Sequence, residues 1–292
     1  MKIAYLILAH ANPQHLDLLI KAISDTDSAI FIHIDKKSDM EIFSNIKGDN
    51  IHFVEKRVNV YWGEFSQVTA IINLIHAALF SSVIHQRLVL ISGVDYPIKP
   101  KNYIKNLFEA HHDKEFINLI KMPSEKANKP ISRLTAYRII PSDSLFKKVI
   151  SKVLNKIGIK RNYKRALGSN VPFAGSTWWA LTRGACEYIS TFITNNPKFI
   201  NTFEKSICPD EMFFQTILGN SDFKKNIHRS LTYTQWVEGR PNPENITEAH
   251  LSLLKKKEPL VIEDAYGKGE LLFARKFTDD SSSVVYSLNQ KS

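Results

Sequence analysis

Five short segments of the chain carry side chains that could do chemistry. His10, Asp35 and Asp95 each follow a run of apolar residues, residues 209–211 read Pro-Asp-Glu, and residues 275–276 read Arg-Lys. Carboxylates can act as general acids or bases, and paired cations can bind anions. Each segment also has a simpler structural explanation: turn formation, complementing a helix dipole, or a solvated surface pair. Their role depends on the elements that bring them together.

The first hundred residues alternate between strand-like and helix-like patterns. Continuous apolar runs predict buried strands at residues 3–9, 29–34, 51–54 and 87–92. A helix is expected from Pro13, with Asn12 as its N-cap, and another from about Phe65. This alternation predicts an α/β fold with a doubly wound, mostly parallel sheet. Ligands bind at the carboxyl ends of such strands, where His10, Asp35 and Asp95 lie.

The rest of the chain predicts further elements of the same domain. Residues 175–182 read as a strand, a helix follows from about Gly184, and residues 209–218 read as a helix with proline at its first position. No internal repeat or low-complexity linker interrupts residues 1–292. We therefore expect a single domain, made of a nucleotide-binding half (1–120), a basic helical insertion (121–172) and an acceptor and catalytic half (173–292).

Composition excludes several classes of protein. The 292 residues are 43% hydrophobic with 11 Gly and 12 Pro, which is ordinary globular usage and neither collagen-like nor disordered. Cys186 and Cys208 are too few for a disulfide framework, so we expect two buried thiols in a reducing compartment. The net charge of +10 leaves three kinds of partner open: nucleic acid, an anionic membrane surface or an acidic small substrate.

Part of the positive charge lies in an amphipathic segment at residues 142–165. Lysines and arginines alternate there with apolar residues at helical spacing. Two explanations stay open for this segment. It could be a helix that packs on the sheet with a solvated basic face, or a helix that lies on a surface of anionic lipid headgroups.

Several functional motifs are absent from the sequence. It contains no P-loop, no Gly-x-Gly-x-x-Gly after the first strand, no Gly-x-Ser-x-Gly elbow and no zinc spacing. No nucleic-acid reader motif accompanies the charge, so we expect no nucleic-acid partner. The N-terminal apolar run ends after seven residues and no apolar window reaches 18 residues, which together lead us to expect a cytoplasmic protein.

Taken in order, these segments resemble the core-2/I-branching family of β-1,6-N-acetylglucosaminyltransferases and their xylosyltransferase relatives, glycosyltransferase family 14. The short chain looks like a bacterial member. The matching segments are residues 4–10 (AYLILAH), 32–37 (IHIDKK), 62–68 (WGEFSQV), 90–98 (LISGVDYPI), 175–179 (GSTWW), 209–211 (PDE) and 273–277 (FARKF).

The resemblance implies a GT-A-like fold and inverting transfer of a sugar from a UDP-sugar to an acceptor hydroxyl. Glu211 matches the family's proposed base, and a position at a helix N-terminus would favour its ionised form. Asp210 is expected to stabilise the helix start or to bind an acceptor hydroxyl. Thr177 departs from the xylosyltransferases, which carry an acid at that position; if that acid is their base, this protein relies on Glu211 or works differently.

The resemblance also implies a donor site without a divalent metal. Most GT-A enzymes hold the metal with Asp-x-Asp after the fourth strand, where this chain has only Asp95; its one Asp-x-Asp, residues 25–27, lies in a different loop. Arg275 and Lys276 match the basic residues that replace the metal in this family. The residues expected to bind the UDP-sugar are therefore Leu8, His10, Asp35, Trp62, Asp95, Arg275 and Lys276.

On the acceptor side the expected residues are Asp210, Trp178 and Trp236. Trp236 matches an aromatic platform on which a sugar would stack, with core packing as the alternative. We expect transfer of GlcNAc, or of xylose or another sugar, to a glycan or lipid-linked glycan in bacterial surface polysaccharide synthesis, at the inner face of the cytoplasmic membrane. The alternatives are a basic nucleic-acid-binding protein and a non-catalytic GT-A-like binding module.

Overall fold

The computed structural model describes residues 1–137, 144–237, 243–256 and 258–290. Residues 142 and 143 of the basic segment therefore lie outside the described residues. The strands are β1 (Ile3–Ala9), β2 (Ser28–Ile34), β3 (Ile51–Phe53), β4 (Arg87–Ser92), β5 (Asp95–Pro97), β6 (Glu115–Ile117), β7 (Ile120–Lys121), β8 (Phe173–Ala174), β9 (Trp179–Thr182), β10 (Ile227–His228), β11 (Thr232–Thr234), β12 (Val261–Asp264), β13 (Gly267–Glu270) and β14 (Phe273–Arg275).

The α-helices are α1 (Pro13–Ile23), α2 (Phe65–Leu79), α3 (Lys101–Ala110), α4 (Ser132–Thr135), α5 (Leu145–Lys156), α6 (Lys164–Leu167), α7 (Arg183–Asn195), α8 (Pro197–Glu204), α9 (Phe213–Gly219), α10 (Leu251–Leu254) and α11 (Ser282–Asn289). Short 3-10 turns cover Glu41–Phe43, Pro209–Glu211, Asp222–Asn226, Glu248–His250 and Asp279–Ser281. Within the described ranges, no helix has the length and apolar character needed to cross a bilayer.

A seven-stranded sheet in the order β10-β6-β9-β4-β1-β2-β3 forms the centre of the molecule. β1 pairs in parallel with β2 and β4, β2 with β3, and β10 with β6. β9 runs antiparallel to both of its neighbours, β4 and β6. The predicted α/β fold with a mostly parallel sheet is therefore confirmed.

The sheet is buried on both faces. Alternate residues of β1 point to opposite sides, so Tyr5 and Ile7 belong to one apolar core and Ala4 and Leu6 to the other. Helices α1, α3 and α11 cover the first face, and α2, α7 and α9 cover the second. This double cover explains why the strands appear in the sequence as continuous apolar runs.

A second sheet, in the order β11-β14-β5, lies beyond the carboxyl end of β4. β14 pairs antiparallel with β5 and parallel with β11, so Arg275 stands opposite both Asp95 and Thr234. Gly93 makes the turn from β4 possible, because a Cβ atom at that position would lie 2.8 Å from the Cβ of Ala9. This small sheet brings the C-terminal FARKF segment to the strand ends.

Asn12 is the N-cap residue of α1, as expected, but its side chain does not bond the helix; its φ is 58° and its Oδ1 accepts the Asp279 N–H at 3.3 Å. Two other local expectations are wrong. The helix expected at 209–218 is a 3-10 turn followed by α9, with a break at Met212, whose φ is −137°. The strand expected at 175–182 covers only β9, and residues 175–178 precede it as a connecting segment.

The two cysteines are free thiols in different environments. Cys186 is buried, as expected, whereas Cys208 is only half-buried. Burial raises the pKa of the Cys208 thiol to about 11, and nearby Asp210 and Glu211 add to this shift. Burial also raises the pKa of the Cys186 thiol. Neither thiol is therefore a reactive thiolate at neutral pH.

Candidate active site

Arg275 and Asp95 form the centre of a first group of side chains, which we call the cation cluster and which also includes Trp178 and Lys276. The Arg275 Nε lies 3.2 Å from Asp95 Oδ1, without the alignment of a hydrogen bond. Asp95 Oδ2 accepts the backbone N–H of Ser92 at 3.0 Å. The antiparallel register of β5 and β14 therefore places this ion pair at the end of the central sheet.

Trp178 supports the guanidinium of the cation cluster from one side. The Arg275 Cζ lies 4.1 Å from the centroid of the Trp178 ring, which is a cation–π contact, and the ring itself is buried. Lys276 follows at once and is half-buried. Burial and the charge of Arg275 lower the pKa of Lys276. In the described part of the chain its ammonium has no ion pair, so it is available to an anion.

Asp95 has lost all contact with solvent. Burial raises its pKa to about 6, while the positive charge of Arg275 acts in the opposite direction. The carboxylate is thus mostly ionised at neutral pH, but it takes up a proton more readily than an ordinary aspartate. The cation cluster therefore combines two cations with one buried acid whose charge is lost in mild acid.

Glu211 belongs to a second group, the base cluster, with Lys129, Arg133 and Asp210. The Lys129 Nζ lies 2.5 Å from Glu211 Oε2, and Arg133 Nη1 donates to the same oxygen. Burial raises the pKa of Glu211, but the charges and hydrogen bonds of Lys129 and Arg133 outweigh it, so the pKa lies below its usual value. Glu211 is therefore ionised, with a quarter of its side chain exposed.

The source of this ionisation differs from the one expected from the sequence. The residues Pro209–Glu211 form a single 3-10 turn, and the helix that follows begins only at Phe213. The effect of a helix dipole is confined to the first turn of a helix, and no α-helix begins at Glu211. Lys129 and Arg133 hold the carboxylate ionised instead.

Asp210 lies beside Glu211 in a contrasting environment. Its Oδ2 accepts the Thr177 hydroxyl at 2.6 Å and the Gln67 amide at 3.2 Å. Burial and the negative charge of Glu211 together raise the pKa of Asp210 to about 6. Two neighbouring carboxyls with opposite shifts are typical of sites that divide acid and base roles.

The segment 175–178 joins the two clusters. The Gly175 N–H donates to the Glu211 carbonyl at 2.8 Å, the Thr177 hydroxyl donates to Asp210, and Trp178 lies against Arg275. A Cβ at residue 175 would lie 1.9 Å from the Asn118 carbonyl oxygen, so only glycine fits. The turn that carries the predicted base therefore contacts the same four-residue segment as the predicted phosphate-binding Arg275.

Asp35 is buried at the end of β2 and holds the loop that follows β3. Its Oδ1 accepts the N–H groups of Lys37 at 2.9 Å and Val60 at 3.3 Å, and its Oδ2 pairs with the Lys37 ammonium at 2.7 Å. Burial raises its pKa, but these bonds outweigh it and the pKa is lowered. Arg57 donates to the Asp35 carbonyl at 2.8 Å and fixes the turn.

The remaining predicted residues occupy more open positions. Leu8 is half-buried and His10 is exposed, both at the carboxyl end of β1. Trp62 is 77% exposed and Trp236 is 58% exposed. The core-packing alternative for Trp236 is therefore wrong. Trp178 differs from them, because its ring is buried beneath the Arg275 guanidinium.

Sequence reasoning missed the cations around Glu211. Lys129 and Arg133 lie in a stretch without clear periodicity, and Lys129 is 82 positions away from Glu211. Lys37 lies in one of the matching segments, but nothing in the sequence shows that its ammonium pairs with Asp35. Nothing in the sequence singles out Gln67 as a partner of Asp210.

The arrangement can bind anions and accept a proton. An ionised, partly exposed carboxylate lies next to cations, and a second pair of cations lies beyond the shared segment 175–178. Among the described residues, no group of three or more His, Cys, Asp or Glu side chains is placed to hold a metal ion. Asp95, the one carboxylate that the resemblance places at the expected metal-binding loop, faces Arg275.

An α/β fold with a carboxylate and cations near its strand ends is suited to a group-transfer enzyme. Within that class, a family model described as "Core-2/I-Branching enzyme" matches residues 3–256. The chain therefore belongs to the Core-2/I-Branching enzyme family, a family of glycosyltransferases.

Curated relatives are similar to the chain at low identity. A xylosyltransferase of Ciona intestinalis is 24% identical over 250 residues, covering 82% of this chain and 28% of the relative. A human β-1,3-galactosyl-O-glycosyl-glycoprotein β-1,6-N-acetylglucosaminyltransferase is 24% identical over 223 residues, covering 74% of this chain and 48% of the relative. The chain thus spans between about a quarter and about half of the length of these relatives.

Solved structures give weaker similarities. An active-site mutant of LgtC matches with a TM-score of 0.38 and 9% identity, covering 93% of this chain and 86% of that chain. A 4-diphosphocytidyl-2C-methyl-D-erythritol synthase of Anaerococcus prevotii matches with a TM-score of 0.38 and 14% identity, covering 87% and 95%. Because these TM-scores are low, the fold is defined by the strand order of the central sheet and not by these similarities.

Proposed function

We propose that this protein is an inverting glycosyltransferase that moves a sugar from a UDP-sugar to a hydroxyl of a glycan acceptor. One observation carries the proposal: the turn that bears the ionised Glu211 and the guanidinium of Arg275, which precedes Lys276, both lie against residues 175–178. Membership of the Core-2/I-Branching enzyme family supports it, as do the xylosyl- and acetylglucosaminyltransferase relatives.

In this proposal Glu211 is the base. Its carboxylate takes the proton of the acceptor hydroxyl while the hydroxyl oxygen attacks the anomeric carbon of the donor sugar. The new glycosidic bond forms as the bond from the anomeric carbon to the diphosphate oxygen breaks, and UDP leaves with the electron pair. Attack from the side opposite the leaving group inverts the anomeric centre. Lys129 and Arg133 keep Glu211 ionised and ready to accept the proton.

Arg275 and Lys276 neutralise the charge that develops on the departing diphosphate. Preorganised charges of this kind lower a barrier by about 3 kcal/mol, by analogy with oxyanion-hole donors. Trp178 on one side and Asp95 on another fix the Arg275 guanidinium in place, so little reorganisation is needed when the charge appears. We therefore propose that transfer does not require a divalent metal.

The donor and acceptor are assigned to the two sides of this site. Leu8, His10, Asp35 and Trp62 lie at or beyond the carboxyl ends of β1 and β2, where we place the uridine. On the acceptor side, the exposed Trp236 provides a face for sugar stacking, and Asp210 lies beside the base. Trp178, which the family resemblance places on the acceptor side, is covered by Arg275, and we assign it to holding that cation in the donor site.

The finer identity of the substrates follows the family resemblance. We favour GlcNAc as the transferred sugar, with xylose as the next candidate, and a bacterial surface polysaccharide as the acceptor. This assignment is supported by the names of the relatives and by the positive charge of the chain, which suits anionic donors and acidic glycans.

A thermal-shift panel of UDP-sugars tests this function. UDP and its cognate UDP-sugar are expected to raise the melting temperature equally with Mn²⁺ and with EDTA; a ligand at 100 times its Kd adds about 2.7 kcal/mol of stability. GDP- and CDP-sugars serve as matched controls and should give smaller shifts. Absence of stabilisation by every UDP compound contradicts the proposal. Stabilisation that depends on Mn²⁺ contradicts its metal independence.

A further inference from the structure

Helix α5 turns an apolar stripe away from the protein. The residues of this stripe recur at helical spacing, yet each of their side chains is 40% or more exposed. We call this stripe the apolar face; it consists of Leu145 (82% exposed), Phe146 (77%), Val149 (57%), Ile150 (40%), Val153 (50%) and the following Ile157 (61%). A contiguous exposed patch of this kind marks an interaction site.

The opposite side of α5 attaches the helix to the protein through polar contacts. Ser151 is buried there, and Asn155 exchanges two hydrogen bonds with the backbone of Tyr137, at 2.8 and 2.7 Å. The Arg161 N–H donates to the Thr135 carbonyl at 2.8 Å just after the helix. The sequence-based alternative in which this segment packs its apolar residues on the sheet is therefore wrong.

Cations border the apolar face. Lys152 and Lys156 are exposed along one edge of the stripe, and Lys160 follows after the helix. The sequence carries no Asp or Glu from residue 144 to residue 186, so no acid of α5 or of the residues just after it offsets these charges. Their long side chains can reach past the apolar face while keeping their ammonium groups in a polar layer.

We propose that the apolar face of α5 binds an anionic phospholipid bilayer, with its apolar residues at the acyl boundary and its lysines among the headgroups. A helix with an apolar stripe, a basic edge and few acids is typical of segments that lie in the plane of a membrane interface. Charge selects this occupant over a second copy of the chain, because a symmetric contact through α5 would bring two uncompensated rows of lysines together.

The position of α5 relates the bilayer to the candidate active site. Asn155 and Arg161 bind the backbone at residues 135–137, immediately after the short helix α4 that carries Arg133. Arg133 donates to Glu211. A bilayer under the apolar face would thus lie near the base cluster, where a lipid-linked glycan could reach it. The binding itself does not depend on the proposed transfer activity.

Vesicle co-sedimentation of the full chain tests the proposal without donor or acceptor. We expect binding to vesicles that contain phosphatidylglycerol, and at least about tenfold weaker binding to pure phosphatidylcholine, because each lysine near an anionic surface contributes about fivefold. Binding to the anionic vesicles should also fall as salt is raised.

Two double variants separate the apolar and basic contributions. Phe146→Ser with Val149→Ser should weaken vesicle binding by about tenfold or more, through lost apolar burial. Lys152→Glu with Lys156→Glu should weaken it by about twentyfold or more. All four side chains are exposed, so the fold should be unchanged, as circular dichroism can check.

Matched controls carry the same substitutions elsewhere on the surface. Phe80→Ser with Ile84→Ser removes exposed apolar side chains, and Lys198→Glu with Lys225→Glu reverses exposed charges; both should bind vesicles like the unaltered chain. Absence of binding to anionic vesicles overturns the proposal. So does full binding by the Phe146 and Val149 variant, which would indicate only a polyanion site. A concentration-dependent dimer that this variant dissociates, without vesicle binding, would identify a second copy as the occupant.

Discussion

The base cluster and the cation cluster both pair a carboxylate with cations, but they leave opposite groups available for chemistry. In the base cluster, Glu211 is partly exposed and touches two cations, so its pKa is lowered. In the cation cluster, Asp95 is fully buried beside a single arginine, so its pKa is raised to about 6. The first arrangement offers an ionised carboxylate, whereas the second offers a positive charge.

The difference shows that burial and the number of partners decide the role of an ion pair. Removing a carboxylate from water raises its pKa, and each adjacent cation lowers it. Glu211 has two such cations within hydrogen-bond distance, while Asp95 has one cation that is not aligned to donate. The predictions below alter one side of the comparison at a time.

The largest effect is expected from Glu211→Gln. The amide cannot accept the acceptor's proton, so transfer should fall by about 10² to 10⁴-fold, the usual contribution of a general base. UDP affinity, measured by calorimetry, should stay within about twofold because the cation cluster is unchanged. Glu204→Gln, on an exposed side chain, is the matched control and should keep full activity. Retained transfer by the Glu211→Gln variant would remove Glu211 as the base.

Lys276→Ala should have the next largest effect and should act on both binding and turnover. Loss of one preorganised charge at the leaving group costs about 10² to 10³-fold in kcat, as for an oxyanion donor. UDP affinity should fall as well, which separates this variant from Glu211→Gln. Lys225→Ala, which removes an exposed lysine, is the control. An unchanged UDP affinity would contradict the assignment of the cation cluster to the diphosphate.

Lys129→Met should change the pH dependence of transfer. The Lys129 ammonium favours ionised Glu211, so its removal raises the pKa of the carboxyl. Because the base must be ionised, the acidic limb of the kcat profile should move to higher pH. Lys126→Met, at an exposed position in the same loop, should leave the profile in place. A limb that stays where it is would show that Lys129 does not tune the base.

The smallest effect concerns stability and the Asp210 carboxyl. Its pKa of about 6 in the folded protein lies above the value of 3.8 expected for the unfolded chain, so the folded state binds a proton more readily. The free energy of unfolding should therefore decrease as pH rises from about 4 to about 6. Compared with Asp210→Asn, the unaltered protein should lose about 1 kcal/mol more stability between pH 5 and pH 7.

Denaturant titrations at the two pH values measure this difference. Asp222→Asn, on an exposed aspartate, serves as the control and should show the same pH dependence as the unaltered protein. A difference of the opposite sign would mean that Asp210 is stabilised as the anion. It would then resemble Glu211, and the contrast within the base cluster would disappear.

The elements that hold these clusters could be predicted where the sequence pattern is local. Helix α2 begins at Phe65, as expected from its apolar period, and β1 covers the predicted residues 3–9, because burial on both faces leaves a continuous apolar run. The split at Met212 could not be predicted, because it depends on backbone contacts of residues 208–211 with distant segments.

The partners of the site residues could not be predicted from the sequence in the same way. The matching motifs place Glu211 and Arg275 in the site. Lys129 contacts Glu211 only because the tertiary fold brings them together, and Trp178 contacts Arg275 because the central sheet lies next to the second sheet. Periodicity identified α5 as amphipathic without showing which side faces the protein. That choice depends on the contacts of Asn155 with Tyr137.

The central claim is inverting transfer by Glu211 and the Arg275–Lys276 pair without a metal. The most direct test is time-resolved proton NMR of UDP-GlcNAc turned over by the purified chain in EDTA, with water or a glycan hydroxyl as acceptor. We predict that the β anomer of the sugar appears first together with UDP. Initial appearance of the α anomer, or turnover only after Mn²⁺ is restored, would contradict the account.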